Sequence, residues 1–203
     1  SGSQSVTISI LDDESVPRVT LTVSATSIAE NAGTSLTLTA TLSKTASEDV
    51  TVTLGTSGAA TEGTDYGSLS NITVTAGALT GTTTFTPTDD SIYDATSNET
   101  ATVSIDSVSG GDALENGTQS VTITITDNES APTVTLSRSA AAIDENSSST
   151  VTITATLSNA TYQDVTVSIG ASGGTEGTDY ATISDITISA GSTTGTTSLD
   201  PTN

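Results

Sequence analysis

Apolar and polar residues alternate with a period of two along most of the chain. Val19, Leu21 and Val23 are separated by threonines, and no segment shows sustained helical periodicity. Strict alternation predicts β-strands with one buried face, and the Gly, Asn, Asp and Ser residues between the runs predict turns. The same alternation returns at Leu36, Leu38, Ala40 and Leu42, at Val50, Val52 and Leu54, at Ile72 and Val74, at Val103 and Ile105, and at Val121, Ile123 and Ile125.

The chain contains an internal repeat. Residues 4–31 match residues 119–146 at 18 of 28 positions, with an offset of 115 residues. The match continues at the same offset between residues 37–52 and 152–167, and the hexapeptide TEGTDY at 61–66 returns at 175–180 with an offset of 114. A period of this length predicts one whole domain per repeat, in tandem.

The repeat sets the domain boundaries. Residues 1–3 resemble an expression-tag remnant, which would leave the natural N-terminus outside this sequence. Residues 4–14 correspond to the last strand of a preceding repeat, residues 16–130 form a complete repeat, and residues 131–203 form a second, truncated repeat. About seven short strands in ~110 residues predict an all-β fold in which each repeat is an antiparallel β-sandwich.

The charge balance excludes several classes of partner. The chain has 24 acidic and 3 basic residues, a formal net charge of −21, so nucleic acid and anionic membrane surfaces are disfavoured. No apolar run reaches the ~20 residues that cross a bilayer, so we expect no direct membrane insertion. The absence of Cys and His excludes disulfides and thiolate sites, and removes the commonest transition-metal ligand.

The acidic residues collect at the predicted strand ends. Loops of a sandwich alternate between its two ends, so several of these acids are candidates to converge at one end. Turn formation and protection of sheet edges are the alternative explanation for any one motif. The doublet Asp89-Asp90 argues more strongly for a cation, because adjacent carboxylates repel each other. The acids of these strand-end motifs in the complete repeat are Glu30, Asp65, Asp89, Asp90, Asp94 and Glu99, followed by Asp127 and Glu129.

Calcium is the cation that such acids favour. Ca²⁺ takes about six to eight oxygen ligands, and carboxylates from separate loops supply them. Zinc is disfavoured without Cys or His, and magnesium usually keeps most of its waters. The sequence therefore predicts Ca²⁺ as the cofactor.

The motif order IAENAG, GTDY, TDDSIYD and TDNE resembles the Calx-β domain. This family takes its name from sodium–calcium exchangers and recurs in tandem in large bacterial surface adhesins, including RTX-type proteins. The resemblance implies an immunoglobulin-like sandwich of about seven strands with Ca²⁺ bound by loops at one end. The sequence departs from the family in Asp94, where Glu is usual, and in Asn128. The implied ligands are Glu30, Asp65, Asp89, Asp90, Asp94, Asp127 and Glu129.

The flanking repeats carry parts of the same motifs. The second repeat keeps Glu145 and Asp179, but Asn203 stands at the position of Asp89. The acids Asp12, Asp13 and Glu14 would close the site of the preceding repeat. Tyr66 and Tyr180, which follow the GTD turns, are expected to pack over the sandwich end.

These features together predict a calcium-binding extender module of a large extracellular adhesin. The acids of the TDNE motif adjoin the linker Ser130-Ala131-Pro132, so bound Ca²⁺ would stiffen the joint between neighbouring repeats. A calcium-sensing regulatory module and a glycan-binding or protein-binding module are the alternatives. An enzyme is not expected, because the paired carboxylates lack a general base and an aromatic sugar platform. Strand 4–11 could also complete a truncated repeat in another molecule, which would produce self-association by strand donation.

Overall fold

A computed structural model of the chain describes residues 2–9, 15–94 and 98–202. The fold is all-β, as the alternation predicts, with a single 3₁₀ turn at Glu30–Ala32 as the helical element of the described residues. In these ranges, no helix has the length and apolar character needed to span a membrane.

The first repeat folds into two sheets that face each other. Its strands are β1 (Arg18–Val23), β2 (Ser27–Ala29), β3 (Leu36–Leu42), β4 (Val50–Gly58), β5 (Ile72–Val74), β6 (Thr80–Phe85), β7 (Ile92–Tyr93), β8 (Asn98–Ser109), β9 (Leu114–Glu115) and β10 (Ser120–Thr126). One sheet has the strand order β6-β3-β1-β9 and the other has the order β2-β10-β8-β4-β5.

The sandwich departs from a purely antiparallel arrangement at its first strand. β1 pairs with β9 in parallel, and β2 pairs with β10 in parallel, whereas the other pairs within these two sheets are antiparallel. Only three residues, 24–26, separate β1 from β2, yet the two strands belong to different sheets. The chain therefore crosses from one sheet to the other at this point, which period-2 alternation alone does not reveal.

The alternating apolar residues form the core between the two sheets, as predicted. Val19, Leu38, Val52 and Ile123 are completely buried. Tyr66 is also buried and stacks on Phe85, with ring centroids 4.6 Å apart. The prediction that Tyr66 packs over the sandwich end is therefore confirmed. Leu199 takes the place of Phe85 in the second repeat, where Tyr180 is only half-buried.

The second repeat has fewer strands and an open core. Leu136 is 57% exposed, whereas its counterpart Leu21 in the first repeat is 5% exposed. The strands of the second repeat are β11 (Val134–Arg138), β12 (Val151–Leu157), β13 (Ala160–Thr161), β14 (Val165–Val167), β15 (Ile186–Ile188) and β16 (Thr194–Leu199). The core is open because β14 and β15 form only a two-stranded sheet opposite β11, β12 and β16.

The N-terminal segment lies apart from both sandwiches. Residues 2–9 form no strand, and Val6 and Ile8 are 87% and 80% exposed. The assignment of residues 4–14 to a preceding repeat stays a prediction, because Asp12, Asp13 and Glu14 lie outside the described residues.

The two repeats meet through a short parallel strand pair. Ala160 and Thr161 in β13 pair with Ile92 and Tyr93 in β7. Asn159, just before β13, also donates its side-chain amide to the Ser130 carbonyl at 3.3 Å. The joint therefore involves strand pairing in addition to the covalent linker.

Candidate metal centre

The strand register brings three acidic segments to one end of the first sandwich. Thr126, the last residue of β10, pairs with Ala29, the last residue of β2. Glu30 and Asp127 follow these partners directly and leave the sheet side by side. On the other side of β10, Ile125 pairs with Glu99 near the start of β8. One parallel and one antiparallel pairing thus place three carboxylates at the same edge.

A tight turn adds Asp65. Its carboxylate accepts a hydrogen bond from the Thr61 N–H at 2.6 Å, and the Tyr66 carbonyl accepts one from the Gly63 N–H at 2.7 Å. Gly63 has a φ of +86°, a conformation that a residue with a Cβ rarely adopts. The Thr88 N–H then donates to the Asp65 carbonyl at 2.9 Å, which fixes the turn against the segment after β6.

That segment contributes Asp90 and Asp94. The Ile92 N–H donates to Asp90 Oδ1 at 2.7 Å, and the Asp94 N–H donates to Asp127 Oδ2 at 3.0 Å. Asp94 is 9% exposed, so its carboxylate is largely withdrawn from water. The segment after β6 is therefore fastened to the segment after β10.

The result is an acidic cleft, which we define by its lining residues Glu30, Asp65, Asp90, Asp94, Glu99, Ile125, Asp127 and Tyr162. One carboxylate oxygen each from Glu30, Asp90 and Glu129 lie within 4.8 Å of one another. Two oxygens bound to one Ca²⁺ at 2.3–2.6 Å are at most about 5.2 Å apart, so these three groups can share one ion. The basic residues Arg18, Lys44 and Arg138 do not line the cleft.

Burial and neighbouring acids raise the pKa of two glutamates in this group. Burial, with added contributions from Glu129 and Asp127, raises the pKa of Glu30 from 4.5 to about 8, although the N–H of Asn128 opposes the change. Burial also raises the pKa of Glu99 from 4.5 to about 7, and Asp65, Asp94 and Asp90 add to the effect. Without a cation, the folded repeat therefore holds protons near neutral pH.

The pKa values of Asp127 and Glu129 shift in opposite directions. Burial acts to raise the pKa of Asp127, but hydrogen bonds from Glu129 and from the N–H of Asp94 outweigh it and lower the pKa below 3.8. The contact with Asp127 raises the pKa of Glu129, with burial adding to the effect. The pair therefore favours a proton on Glu129 and a charge on Asp127.

Asn128 and Glu129 show how the cleft accommodates its charge. The N–H of Asn128 donates to Glu30 Oε1 at 3.2 Å, and its side-chain amide donates to Glu129 Oε1 at 2.9 Å. The departure from an all-acidic motif thus supplies the side-chain donor, which an aspartate at this position would lack. The second oxygen of Glu129, Oε2, is buried and accepts no hydrogen bond from the described residues. A buried carboxyl oxygen without a donor is the feature that a bound cation would satisfy.

Tyr162 of the second repeat also lines the cleft. Its hydroxyl donates a hydrogen bond to Asp90 Oδ2 at 2.7 Å. This bond, together with burial, raises the pKa of Tyr162 above the ordinary tyrosine range. The sequence analysis did not predict Tyr162 as a residue of the site. A difference between the repeats could have drawn attention to it, because the equivalent position of the first repeat is Ser47.

The remaining predicted ligands lie outside this group. Asp89 is exposed and lines a neighbouring cleft with Thr86 and Pro87, which shares only Glu30 with the acidic cleft. Glu145 and Asp179 are exposed, and neither belongs to a group of three acids close enough to share an ion among the described residues. Glu99, which the motif resemblance does not include, lines the acidic cleft instead.

Comparison with known proteins finds similar solved structures. No family profile and no curated protein match the chain. It is similar to the apo-form Calx CBD1 domain, with 18% identity over 55% of this chain and 99% of that chain and a TM-score of 0.46. It is also similar to the calcium binding domain CBD12 of CALX1.1, with 18% identity over 86% of this chain and 71% of that chain and a TM-score of 0.44.

A third similar structure carries no functional label. It is a two-domain protein of unknown function from Bacteroides fragilis, with 9% identity over 92% of this chain and 85% of that chain and a TM-score of 0.38. Likenesses at these identities and TM-scores assign no function to this chain. The assignment of ligands in this chain depends on its own motifs and geometry.

Proposed function

We propose that the first repeat binds Ca²⁺ in the acidic cleft. The observation that carries the proposal is the convergence of Glu30, Asp90 and Glu129, whose oxygens lie within 4.8 Å of one another although they come from three separate segments. Hard oxygen donors are the ligands that Ca²⁺ prefers, and a chain without Cys and His offers no softer alternative.

The donor set fits this ion. Glu30, Asp90 and Glu129 would hold it, and Asp65, Asp94, Glu99 and Asp127 line the same cleft or contact these three. The buried Oε2 of Glu129 would gain a partner, and the like charges would gain a counter-ion. The ion would supply positive charge and no redox or acid–base chemistry, so we propose a binding module without enzymatic activity.

Isothermal titration calorimetry tests the proposal. Wild-type chain should bind Ca²⁺ with a dissociation constant of about 10⁻⁶ to 10⁻⁴ M, and Mg²⁺ should bind more weakly because this many carboxylates leave little room for its waters. Asp90→Asn should weaken Ca²⁺ binding by about tenfold or more. Glu48→Gln, which removes an acid beside Lys44 in a different surface groove, serves as the matched control and should bind normally. Heat signals that are absent for wild type, or unchanged by Asp90→Asn, would overturn the proposal.

At the level of the whole protein, we propose that the repeats form an extender region of a large extracellular adhesin. Support comes from the tandem repeat, the net charge of −21 and the contact between β13 and β7 beside the acidic cleft. Ca²⁺ at this joint would neutralise repulsion between neighbouring acids and restrict movement of one repeat against the next.

A calcium sensor is the second candidate, favoured by the same contact between the repeats. A sensor requires micromolar affinity and a change in the angle between repeats, whereas an extracellular stiffener functions with a dissociation constant of about 10⁻⁴ M. The calorimetric constant therefore separates the two candidates.

A further inference from the structure

The second repeat reaches the acidic cleft of the first repeat through one side chain. Tyr162 follows β13 directly, and its N–H donates to the Tyr93 carbonyl at 3.2 Å, which extends the pairing of β13 with β7 by one residue. The same residue donates its hydroxyl to Asp90 Oδ2 at 2.7 Å. One residue thus takes part in both the joint between repeats and the proposed calcium site.

Two donors from different repeats hold the Asp90 carboxylate. The Ile92 N–H from the first repeat donates to Oδ1 at 2.7 Å, and the Tyr162 hydroxyl from the second repeat donates to Oδ2. A carboxylate offers about four lone-pair sites, so two remain for an ion. Donors on both oxygens fix the plane of the carboxylate, as the supporting partners of metal ligands do in other proteins.

We infer that Tyr162 is a positioning residue that couples Ca²⁺ binding in the first repeat to docking of the second repeat. The inference rests on the proposed calcium function and adds its regulation. Docking of β13 on β7 brings the hydroxyl to Asp90 and orients this ligand for the ion. Because coupling between two equilibria is reciprocal, Ca²⁺ must stabilise the docked repeat by the same factor.

The internal repeat shows that this coupling belongs to one particular joint. The first repeat has Ser47 at the position equivalent to Tyr162, by the offset of 115 residues that relates Val50 to Val165. A serine hydroxyl lies too close to the backbone to donate a hydrogen bond to a carboxylate of the neighbouring repeat, as the Tyr162 hydroxyl does. The coupling is therefore a property of the Tyr162 side chain rather than of the β-sandwich in general.

The test compares Tyr162→Phe with wild type in the full chain. Tyr162 is 43% exposed, so loss of the hydroxyl alone leaves the core unaffected. Calorimetry measures Ca²⁺ affinity, and hydrogen exchange measures protection of the amides at residues 160–162 with and without Ca²⁺. We expect affinity for Ca²⁺ to fall by about three- to tenfold and the Ca²⁺-induced protection to be lost. Tyr180→Phe removes the same atom elsewhere in the second repeat and should match wild type in both measurements.

The outcomes separate the two proposals. If wild-type chain binds no Ca²⁺, the proposed function fails, and the inference fails with it. If wild type and Tyr162→Phe bind Ca²⁺ with the same affinity, the proposed function stands and the coupling is overturned. A purely structural role for the hydroxyl would loosen residues 160–162 equally with and without Ca²⁺ and leave affinity unchanged. Equal losses in Tyr162→Phe and Tyr180→Phe would also overturn the inference.

Discussion

Glu129 shows at the scale of a single residue why the acidic cleft favours a cation. One of its oxygens accepts a hydrogen bond from Asn128, and the other is buried without a donor among the described residues. Such an oxygen destabilises the folded repeat until a proton or a metal ion satisfies it. Stability without calcium and affinity for calcium should therefore respond in opposite directions to changes at this residue.

Glu129→Gln tests this opposition. The amide keeps the shape of the side chain, cannot ionise and can donate to a neighbouring carboxylate. Without calcium, the variant should be more stable by about 1 kcal/mol, a rise in melting temperature of ~2–4 °C. Its Ca²⁺ affinity should fall by about tenfold. Calorimetry and thermal melts of Glu48→Gln provide the baseline, and a variant that loses stability in calcium-free buffer would contradict this reading of Glu129.

The raised pKa values predict how stability depends on pH. The pKa of Glu30 in the folded state is about 8 and that of Glu99 is about 7, both above the ordinary value of 4.5. A carboxyl with a raised folded-state pKa contributes stability that is fully present below its unfolded pKa and is lost as pH rises through the folded pKa. Asp127 acts in the opposite sense, but its pKa lies below 3.8, outside this window.

In calcium-free buffer, the melting temperature should therefore fall as pH rises from about 5 to about 8. With saturating Ca²⁺, the fall of the melting temperature with rising pH should become smaller or reverse, because the ion replaces protons on Glu30 and Glu99. Scanning calorimetry across this range measures both curves. Parallel curves with and without calcium would show that the ion does not displace these protons.

At the scale of the elements, the geometry of the cleft follows from strand pairing and one turn. The pairing of β10 with β2 and β8 determines which carboxylates lie together, and the TEGTDY turn adds Asp65. The turn exists twice in the chain, because the Thr175 N–H donates to Asp179 at 2.6 Å just as the Thr61 N–H donates to Asp65. The second copy is a natural control for the first.

Gly63→Ala and Gly177→Ala form a matched pair. The two glycines have φ values of +86° and +80°, and a Cβ at either would meet no atom within 4 Å. Each substitution should therefore act through backbone conformation alone and destabilise its own turn by about 1 kcal/mol. Only Gly63→Ala should weaken Ca²⁺ binding, since only its turn carries a residue of the acidic cleft. If the two variants weaken Ca²⁺ binding equally, Asp65 does not belong to the calcium site.

The elements also show what the sequence could and could not predict. Alternation identified the core because a half-buried strand needs an apolar residue at every second position, and the acidic motifs identified most residues of the cleft. The placement of β1 and β2 in different sheets was not predictable, because alternation indicates a buried face but not the sheet to which a strand belongs. Tyr162 was missed because its contact with Asp90 depends on docking between repeats, which no local pattern encodes.

At the scale of the whole molecule, calcium should alter the shape of the tandem array. The pairing of β13 with β7 lies beside the acidic cleft, so neutralising its charge should restrict movement at the joint. Small-angle scattering should give a narrower and longer distance distribution with Ca²⁺ than with EGTA. Sodium chloride at matched ionic strength controls for general screening. An unchanged maximum dimension together with an unchanged melting temperature would contradict the proposed stiffening role.

The most direct test of the calcium site is a high-resolution crystal structure of this chain grown with calcium. The account predicts an ion in the acidic cleft with oxygens of Glu30, Asp90 and Glu129 at about 2.3–2.6 Å. Glu129 Oε2, which lacks a donor among the described residues, should be one of the ligands. A calcium-soaked structure whose cleft holds no ion, or whose ion contacts none of these three carboxylates, would contradict the account.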